Sequence, residues 1–323
     1  MRPKPGKSDP AKPSEISAAH VSKKRAQEAC PVVLENKPDA DYALLDSGNG
    51  SKLERYGSVT IVRPEAQAFW QPQLSPDIWK NADAVFTGDT SEEGAGRWHF
   101  PRKKLAETWP MSWDGISYLG RFTSFRHVGV FPEQATHWRF MEEKIRASSK
   151  NEFKVLNLFG YTGLASLVAA RAGAHVTHVD ASKKAIGWAR ENQNIANLSD
   201  RPIRWICEDA VRFCEREVRR GNRYDGILLD PPKYGRGPKG EVWQLFEHLP
   251  YMLDLVRSLT DEKSSFVVLT AYSIRASFFA THEIVQEKFG DCAGRVESGE
   301  LVIKTQDSDR RLSTSLFSRW VNE

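Results

Sequence analysis

Asp230-Pro231-Pro232-Lys233-Tyr234 and Phe159-Gly160-Tyr161-Thr162-Gly163 are the stretches whose residue types could do chemistry. Two prolines directly after an acid stiffen a turn and remove backbone donors. The Asp230 carboxylate and the carbonyls of Pro231 and Pro232 then form an acceptor-rich surface. That surface matches a planar exocyclic amine, which can give both hydrogens to it. Tyr234 adds a ring on which a base can stack. Lys233, Arg236 and Lys239 surround the turn as a local basic patch able to hold phosphates, on a loop made pliant by Gly235, Gly237 and Gly240. In the other stretch, glycines at 160 and 163 are expected to let the backbone approach a ligand where a Cβ would collide. Asp180 lies about 20 residues further on, where a nucleoside-binding βαβ unit holds a carboxylate for ribose hydroxyls. Neither the G-x-G-x-x-G fingerprint nor the G-x-x-x-x-G-K-[ST] phosphate loop is present. A ribose-bearing ligand without a pyrophosphate therefore fits best, S-adenosylmethionine being the obvious one. Taken alone, each stretch also reads as an ordinary structural turn.

The elements that must position these residues follow from hydrophobic patterning. Val155, Leu156 and Leu158 read as a buried parallel strand, followed by a helix from Leu164 to Arg171 that stops at Gly173. The next strand, His175–Val179, ends in Asp180, and Ser182 caps a helix reaching about Ala196. Ile203–Cys207 is a third strand. After it, Asp209 with Ala210 can hold an adenine amino group or cap the helix Ala210–Arg219. Tyr224–Leu229 leads into Asp230, and Ser265–Thr270 is a fifth strand. Leu301–Lys304 and Leu312–Trp320 suit an antiparallel pair at the sheet edge. Alternation of strand and helix predicts a doubly wound α/β sheet with ligands at the carboxyl ends of its strands. Gly129–Gln134 opens a helix carrying Trp138, Met141 and Ile145, which either links the domains or turns its N-terminus to the cofactor's carboxylate. Before it, residues 38–128 read as a small antiparallel β domain, barrel-like in outline, with turns at Asn49-Gly50 and Asp114-Gly115. Its aromatics (Phe69, Trp70, Trp79, Trp98, Phe100, Trp109, Trp113) are expected mostly in its core, with an exposed few free to stack on bases.

With these residues in hand, the chain resembles the class I S-adenosylmethionine-dependent methyltransferases. More narrowly, Leu156–Gly163 together with Asp230–Tyr234 resembles the large-subunit ribosomal RNA methyltransferase family that includes cytosine-5 enzymes. The resemblance covers about Gly129 to Trp320. It implies a seven-stranded Rossmann-like sheet over residues 129–323 and an RNA substrate, ribosomal RNA first. It also implies cofactor contacts at Gln134, Asn157, Phe159, Gly160, Tyr161, Thr162, Gly163, Asp180, Ala181, Ser182, Asp209, Ala210 and Asp230. Asp230, Pro231, Pro232 and Tyr234 fall at the chemical step. One departure matters. Cytosine-5 methylation needs a thiolate to add to the ring, and the resembling enzymes carry it just after the fifth strand. Here that segment reads Leu269-Thr270-Ala271-Tyr272-Ser273. An amino nitrogen is thus preferred over cytosine C5 as acceptor. The alternatives are methylation of a protein or small molecule, or an RNA- or ribosome-binding protein that keeps the cofactor fold.

Composition bounds the rest. The 323 residues suit one large or two modest domains. No apolar run reaches membrane-spanning length and none at the start suits a secretory signal, so a cytoplasmic protein is expected. The four cysteines, Cys30, Cys207, Cys214 and Cys292, are scattered, which argues against a disulfide or zinc framework and for no metal. The formal charge of +4 resides in residues 1–37, read as a disordered basic tail, so the remainder is balanced and any RNA contact must be local.

Overall fold

The computed structural model describes residues 30–88, 96–272 and 276–322. Most of the expected tail, residues 1–29, lies outside the described residues. The tail boundary at 37 shifts, because β1 (Val32–Asn36) is a strand of the main sheet, paired in parallel with residues 299–303.

The N-terminal β unit follows as β2 (Tyr42–Gly48), β3 (Ser51–Tyr56), β4 (Val59–Pro64), a short helix α1 (Pro76–Lys80), β5 (Ala84–Gly88) and β6 (Gly96–His99). A two-residue hairpin loop needs left-handed backbone at both positions, and Asn49 (φ 51°) and Gly50 (φ 73°) supply it. The five strands run in the order β2-β3-β4-β5-β6, with β4 and β5 parallel. The sheet is therefore open and mixed, in contrast to the antiparallel, barrel-like expectation. The second hairpin, β7 (Thr108–Trp113) and β8 (Ile116–Arg121), forms a sheet of its own around Asp114-Gly115. It packs on the following unit: Trp113 meets Trp138 edge-on at 5.1 Å, and the Leu119 amide donates to Asn192 Oδ1. A boundary at residue 128 thus cuts through a shared core. Of the aromatics expected inside, Trp109 and Trp113 are buried, whereas Phe69 is 85% exposed.

A 3₁₀ turn at Pro132–Gln134 leads into α2 (Ala135–Ala147). The α/β unit continues as β9 (Lys154–Leu158), α3 (Leu164–Arg171), β10 (His175–Asp180), α4 (Lys183–Ile195), β11 (Ile203–Cys207), α5 (Ala210–Arg219) and β12 (Gly226–Leu229). A hairpin of β13 (Tyr234–Arg236) and β14 (Val242–Gln244) precedes α6 (Leu245–Ser258), β15 (Phe266–Tyr272), α7 (Phe278–Phe289), β16 (Arg295–Lys304) and β17 (Arg311–Val321). The main sheet has the order β1-β16-β17-β15-β12-β9-β10-β11. This is the doubly wound sheet expected, with an eighth strand where seven were foreseen. The antiparallel β16–β17 pair sits one strand in from the edge, because β1 covers β16.

Period-two alternation explains the two layers. Val155, Val176, Leu228 and Val268 turn to one face, against α2 and α3. Leu156, Leu158, Ile227, Leu229 and Leu269 turn to the other, against α5 and α6. The β unit docks on the β16–β17 turn: the Gln306 amide donates to the Leu44 carbonyl, and the Arg310 guanidinium reaches the carbonyls of Ser47 and Gln71.

Candidate active site

A cleft of about 490 Å³ opens at the carboxyl ends of the parallel strands, within the range of small-ligand sites. Phe159, Tyr161, Asp180, Ala181, Ser182, Asp209, Ala210, Asp230, Pro231, Pro232, Lys233, Tyr234 and Arg236 all line it. A smaller cavity continues inward past Gln134, Asn157, Gly160 and Thr162, with Phe131, Phe159, Tyr161 and Asp230 common to both. Folding therefore gathers both motifs, Gly163 excepted, and three strand ends into one place.

The glycine loop carries a signal that the sequence pattern did not reveal. Phe159 (φ 57°) and Tyr161 (φ 52°) are bulky residues in left-handed backbone, a costly conformation that persists only where the surroundings over-determine it. Here the Gly160 amide donates to the Val179 carbonyl at 3.1 Å and the Tyr161 amide to Asp180 Oδ2 at 2.9 Å. Phe159 packs on Trp243 (4.9 Å), and Tyr161 contacts Phe131 and Trp188. The glycines themselves have a different reason from the one expected. A Cβ on Gly160 would stand 2.4 Å from the His178 ring, and one on Gly163 2.9 Å from Ala189 and from Trp205. Both glycines admit neighbouring side chains of the fold, and Gly163 (φ 83°) also sits in left-handed backbone at the start of α3.

Beneath the loop runs a buried polar chain. Asn157 Nδ2 donates to Ser166 Oγ at 2.9 Å, and Ser166 Oγ lies 2.9 Å from His178 Nδ1. Complete burial drives the His178 pKa down to about 3, with a backbone contact from Tyr161 opposing, so the ring is neutral. The Thr162 hydroxyl is given to the Gly129 carbonyl, and the Thr162 carbonyl accepts from Asn192. Asn157 and Thr162, both expected to contact cofactor, thus spend these groups on holding the loop.

Asp180 is placed as expected, at the tip of β10. Its carboxylate accepts from the amides of Tyr161 and Ser182, and burial raises its pKa against those two bonds. Each oxygen keeps a lone pair, so the group fits a ribose diol facing the cleft. Ser182 caps α4 by accepting from the Ala185 amide. Asp209 caps α5, accepting from the Arg212 amide at 3.0 Å, and also lines the cleft.

At the other end, Gln134 Nε2 donates to Asp230 Oδ2 at 3.2 Å and to the Tyr272 hydroxyl at 2.7 Å. Tyr272, at the end of β15, was missed as a site residue. The signal was its position, since it occupies the segment where a cysteine was sought. The acceptor surface is smaller than expected, because the Trp243 indole donates to the Pro232 carbonyl at 2.7 Å. Tyr234 is 37% exposed, with the Arg236 guanidinium 5.9 Å from its ring. Lys233 and Arg236 line the cleft while Lys239 does not. Glu241, which pairs with Arg212 and accepts from the Lys239 amide, puts an acid inside the basic patch. None of the four cysteines lines the cleft; Cys214 is buried with its thiol pKa pushed up, and Cys207 contacts the Ala181 carbonyl from outside. Among the described residues, no group of His, Cys, Asp or Glu could hold a metal ion, and no helix is long and apolar enough to cross a membrane.

Residues 139–252 match the family described as Conserved hypothetical protein 95. The chain is 36% identical over 126 residues to the Ribosomal RNA large subunit methyltransferase K/L of Syntrophotalea carbinolica, a span of 39% of this chain and 16% of that protein. It is 33% identical over 131 residues to the protein of the same name in Shewanella oneidensis, covering 39% and 17%. The chain thus spans about a sixth of the length of these curated relatives. Among solved structures, the SAM-dependent methyltransferase from Agrobacterium tumefaciens is 59% identical, with a TM-score of 0.87 over 91% of this chain and 94% of that one. The M. jannaschii tRNA m1G37 methyltransferase shares the fold at 12% identity and a TM-score of 0.53, over 84% of this chain and 72% of that one.

Proposed function

Because the chain belongs to the S-adenosylmethionine-dependent methyltransferases, we propose that it methylates a base in RNA, ribosomal RNA first, at an exocyclic amino nitrogen. One observation carries this reading: the Asp230 carboxylate, held by Gln134 beside Pro231, stands in the cleft that also contains the glycine loop and Asp180. In this reading Asp180 takes the ribose hydroxyls, with Phe159, Tyr161, Ala181, Ser182, Asp209 and Ala210 walling the nucleoside. Gln134 and Gly160 border the inner end. Bound there, the cofactor supplies an electrophilic methyl group.

The protein's share is positioning and proton handling. Asp230 and the Pro231 carbonyl accept the two amino hydrogens and aim the nitrogen lone pair away from the turn. Asp230 takes the proton released as the nitrogen is alkylated. Tyr234 stacks on the base, and the apolar walls exclude water. Support for nitrogen over C5 is the placement of the cysteines, all outside the cleft.

Mass spectrometry of nucleosides from ribosomal RNA with and without the gene tests the substrate. A methylated amino base that disappears with the gene is the expected result, and an unchanged profile would remove ribosomal RNA as the acceptor. RNA carrying 5-fluorocytosine tests the atom. No stable adduct is expected, whereas an adduct that depends on Cys207 or Cys214 would return the acceptor to cytosine C5.

A further inference from the structure

The N-terminal β unit reaches the cleft through one loop. Phe125, between β8 and the Pro132 turn, lines the same cleft as Tyr234 and Asp230, yet 47% of its surface is exposed. Single exposed rings are ordinary on a protein surface, and Phe69, Phe246 and Phe279 are more exposed still; what sets Phe125 apart from them is that it lines the cleft of Asp230. The loop is nevertheless tied down on several sides. Thr123 Oγ1 accepts from the Phe125 amide, and the Trp98 indole donates to the Phe125 carbonyl. The Gly96 amide donates to the Ser124 carbonyl. Arg63 Nη1 donates to the Arg126 carbonyl while its guanidinium is fixed by the buried Glu54 carboxylate at 2.7 Å. Phe125 is thus an exposed ring on a fixed mount, which costs little conformational entropy to use. Arg97, between Gly96 and Trp98 on β6, and Lys103 and Lys104 further along the chain are exposed.

We propose that Phe125 is a substrate-binding residue: it stacks on the acceptor nucleobase, or the base next to it, from the side of the β unit, while Tyr234 serves the methyltransferase side. The cations Arg97, Lys103 and Lys104 continue the phosphate track begun at Lys233 and Arg236. The β unit is then a working part of the cleft, and a single-stranded or flipped-out base is its ligand, because only an unstacked base offers its faces to two side chains. The inference rests on the RNA reading above and adds to it the residue that grips the base.

The test uses the full chain with saturating tritiated S-adenosylmethionine and ribosomal RNA purified from cells lacking the gene. Phe125→Ala is expected to lower kcat/KM for this RNA by about tenfold or more and to weaken filter binding of the same RNA, since losing one stacked base costs roughly a factor of 5 to 150. Calorimetric affinity for S-adenosylhomocysteine and Tm should not change, and Phe125→Trp should recover most of the loss. Wild-type kinetics and RNA affinity in Phe125→Ala would overturn the stacking role and leave the RNA reading standing. Loss of cofactor affinity along with turnover would also overturn it, placing Phe125 at the cofactor instead. A wild-type protein that binds S-adenosylhomocysteine but transfers no methyl group to any RNA would bring down the RNA reading and this inference with it. A salt slope for RNA binding that stays unchanged in the Arg97/Lys103/Lys104 triple alanine would remove these cations from the track.

Discussion

The two ends of the cleft are built differently. At the glycine loop, both oxygens of Asp180 accept backbone amides, two bulky residues are held in left-handed backbone, and a neutral histidine is sealed beneath them. At the Asp230 turn, Gln134 holds the carboxylate from below, but Tyr234, Lys233, Arg236 and Phe125 stand partly or wholly in solvent. The first end has paid for its geometry during folding, as suits a small ligand of fixed shape. The second leaves its contact surface open, as suits one base of a large polymer that must be drawn in from outside. Phosphate contacts to such a polymer position it, and stacking and amino-group contacts select it.

The sharpest way to break this contrast is to remove Asp230. Asp230→Ala should lower methyl transfer by about 10²- to 10⁴-fold, the usual share of a general base, while calorimetry finds the cofactor bound almost as before. An equal loss of cofactor affinity would show that the two ends are one site energetically.

Next in size is the acid sensitivity of the sealed end. His178 ionises at about 3 in the fold against 6.5 in an exposed chain, so the unfolded state binds the extra proton as pH falls below 6.5. Stability contributed by the neutral ring is complete above pH 6.5 and is lost on the way to pH 3, by about 3 kcal/mol at pH 4.5. His137, also buried and also lowered to about 3, acts in the same direction. Glu133 opposes them: burial raises its pKa to about 7 from 4.5, so its contribution grows as pH falls through that window. Denaturant unfolding across pH 4.5–7.5 should give a shallower loss toward acid for His178→Gln than for wild type. Parallel curves would mean that the ring is not held neutral.

Asp180→Ala tests the same end at its ligand face. Affinity for S-adenosylmethionine should fall by about 1–3 kcal/mol, the cost of leaving amides and ribose hydroxyls without their acceptor. Turnover at saturating cofactor should fall far less than in Asp230→Ala. A folded mutant with unchanged affinity would sink the assignment.

The smallest effect belongs to the open end. The Lys233/Arg236/Lys239 triple alanine should bind RNA more weakly, with a salt slope shallower by about 2, since Lys239 stands off the cleft. Deletion of residues 1–37 is not expected to abolish binding, although it would also remove β1 and its pairing with β16. A clean comparison therefore stops at residue 29.

Much of this was legible in short stretches of chain. Helix α3 spans Leu164–Arg171 as the pattern predicts, Ser182 caps α4, and Asn49-Gly50 and Asp114-Gly115 turn their hairpins. Each is settled within a few residues by hydrophobic period, capping oxygen or tolerance of left-handed backbone. Asp180 and Asp230 could be placed because parallel strands all point their carboxyl ends the same way. Tertiary structure alone decided what these residues touch. Gly160 is glycine because His178 stands behind it, and the Pro232 carbonyl is taken by Trp243. Gln134 finds Asp230 and Tyr272 at separations of 96 and 138 residues. Phe125 lines the cleft from a loop that Trp98 and Arg63 hold across 27 and 63 residues of chain. Local propensity is written residue by residue, whereas these contacts exist only after long loops have closed and buried surfaces have chosen their partners.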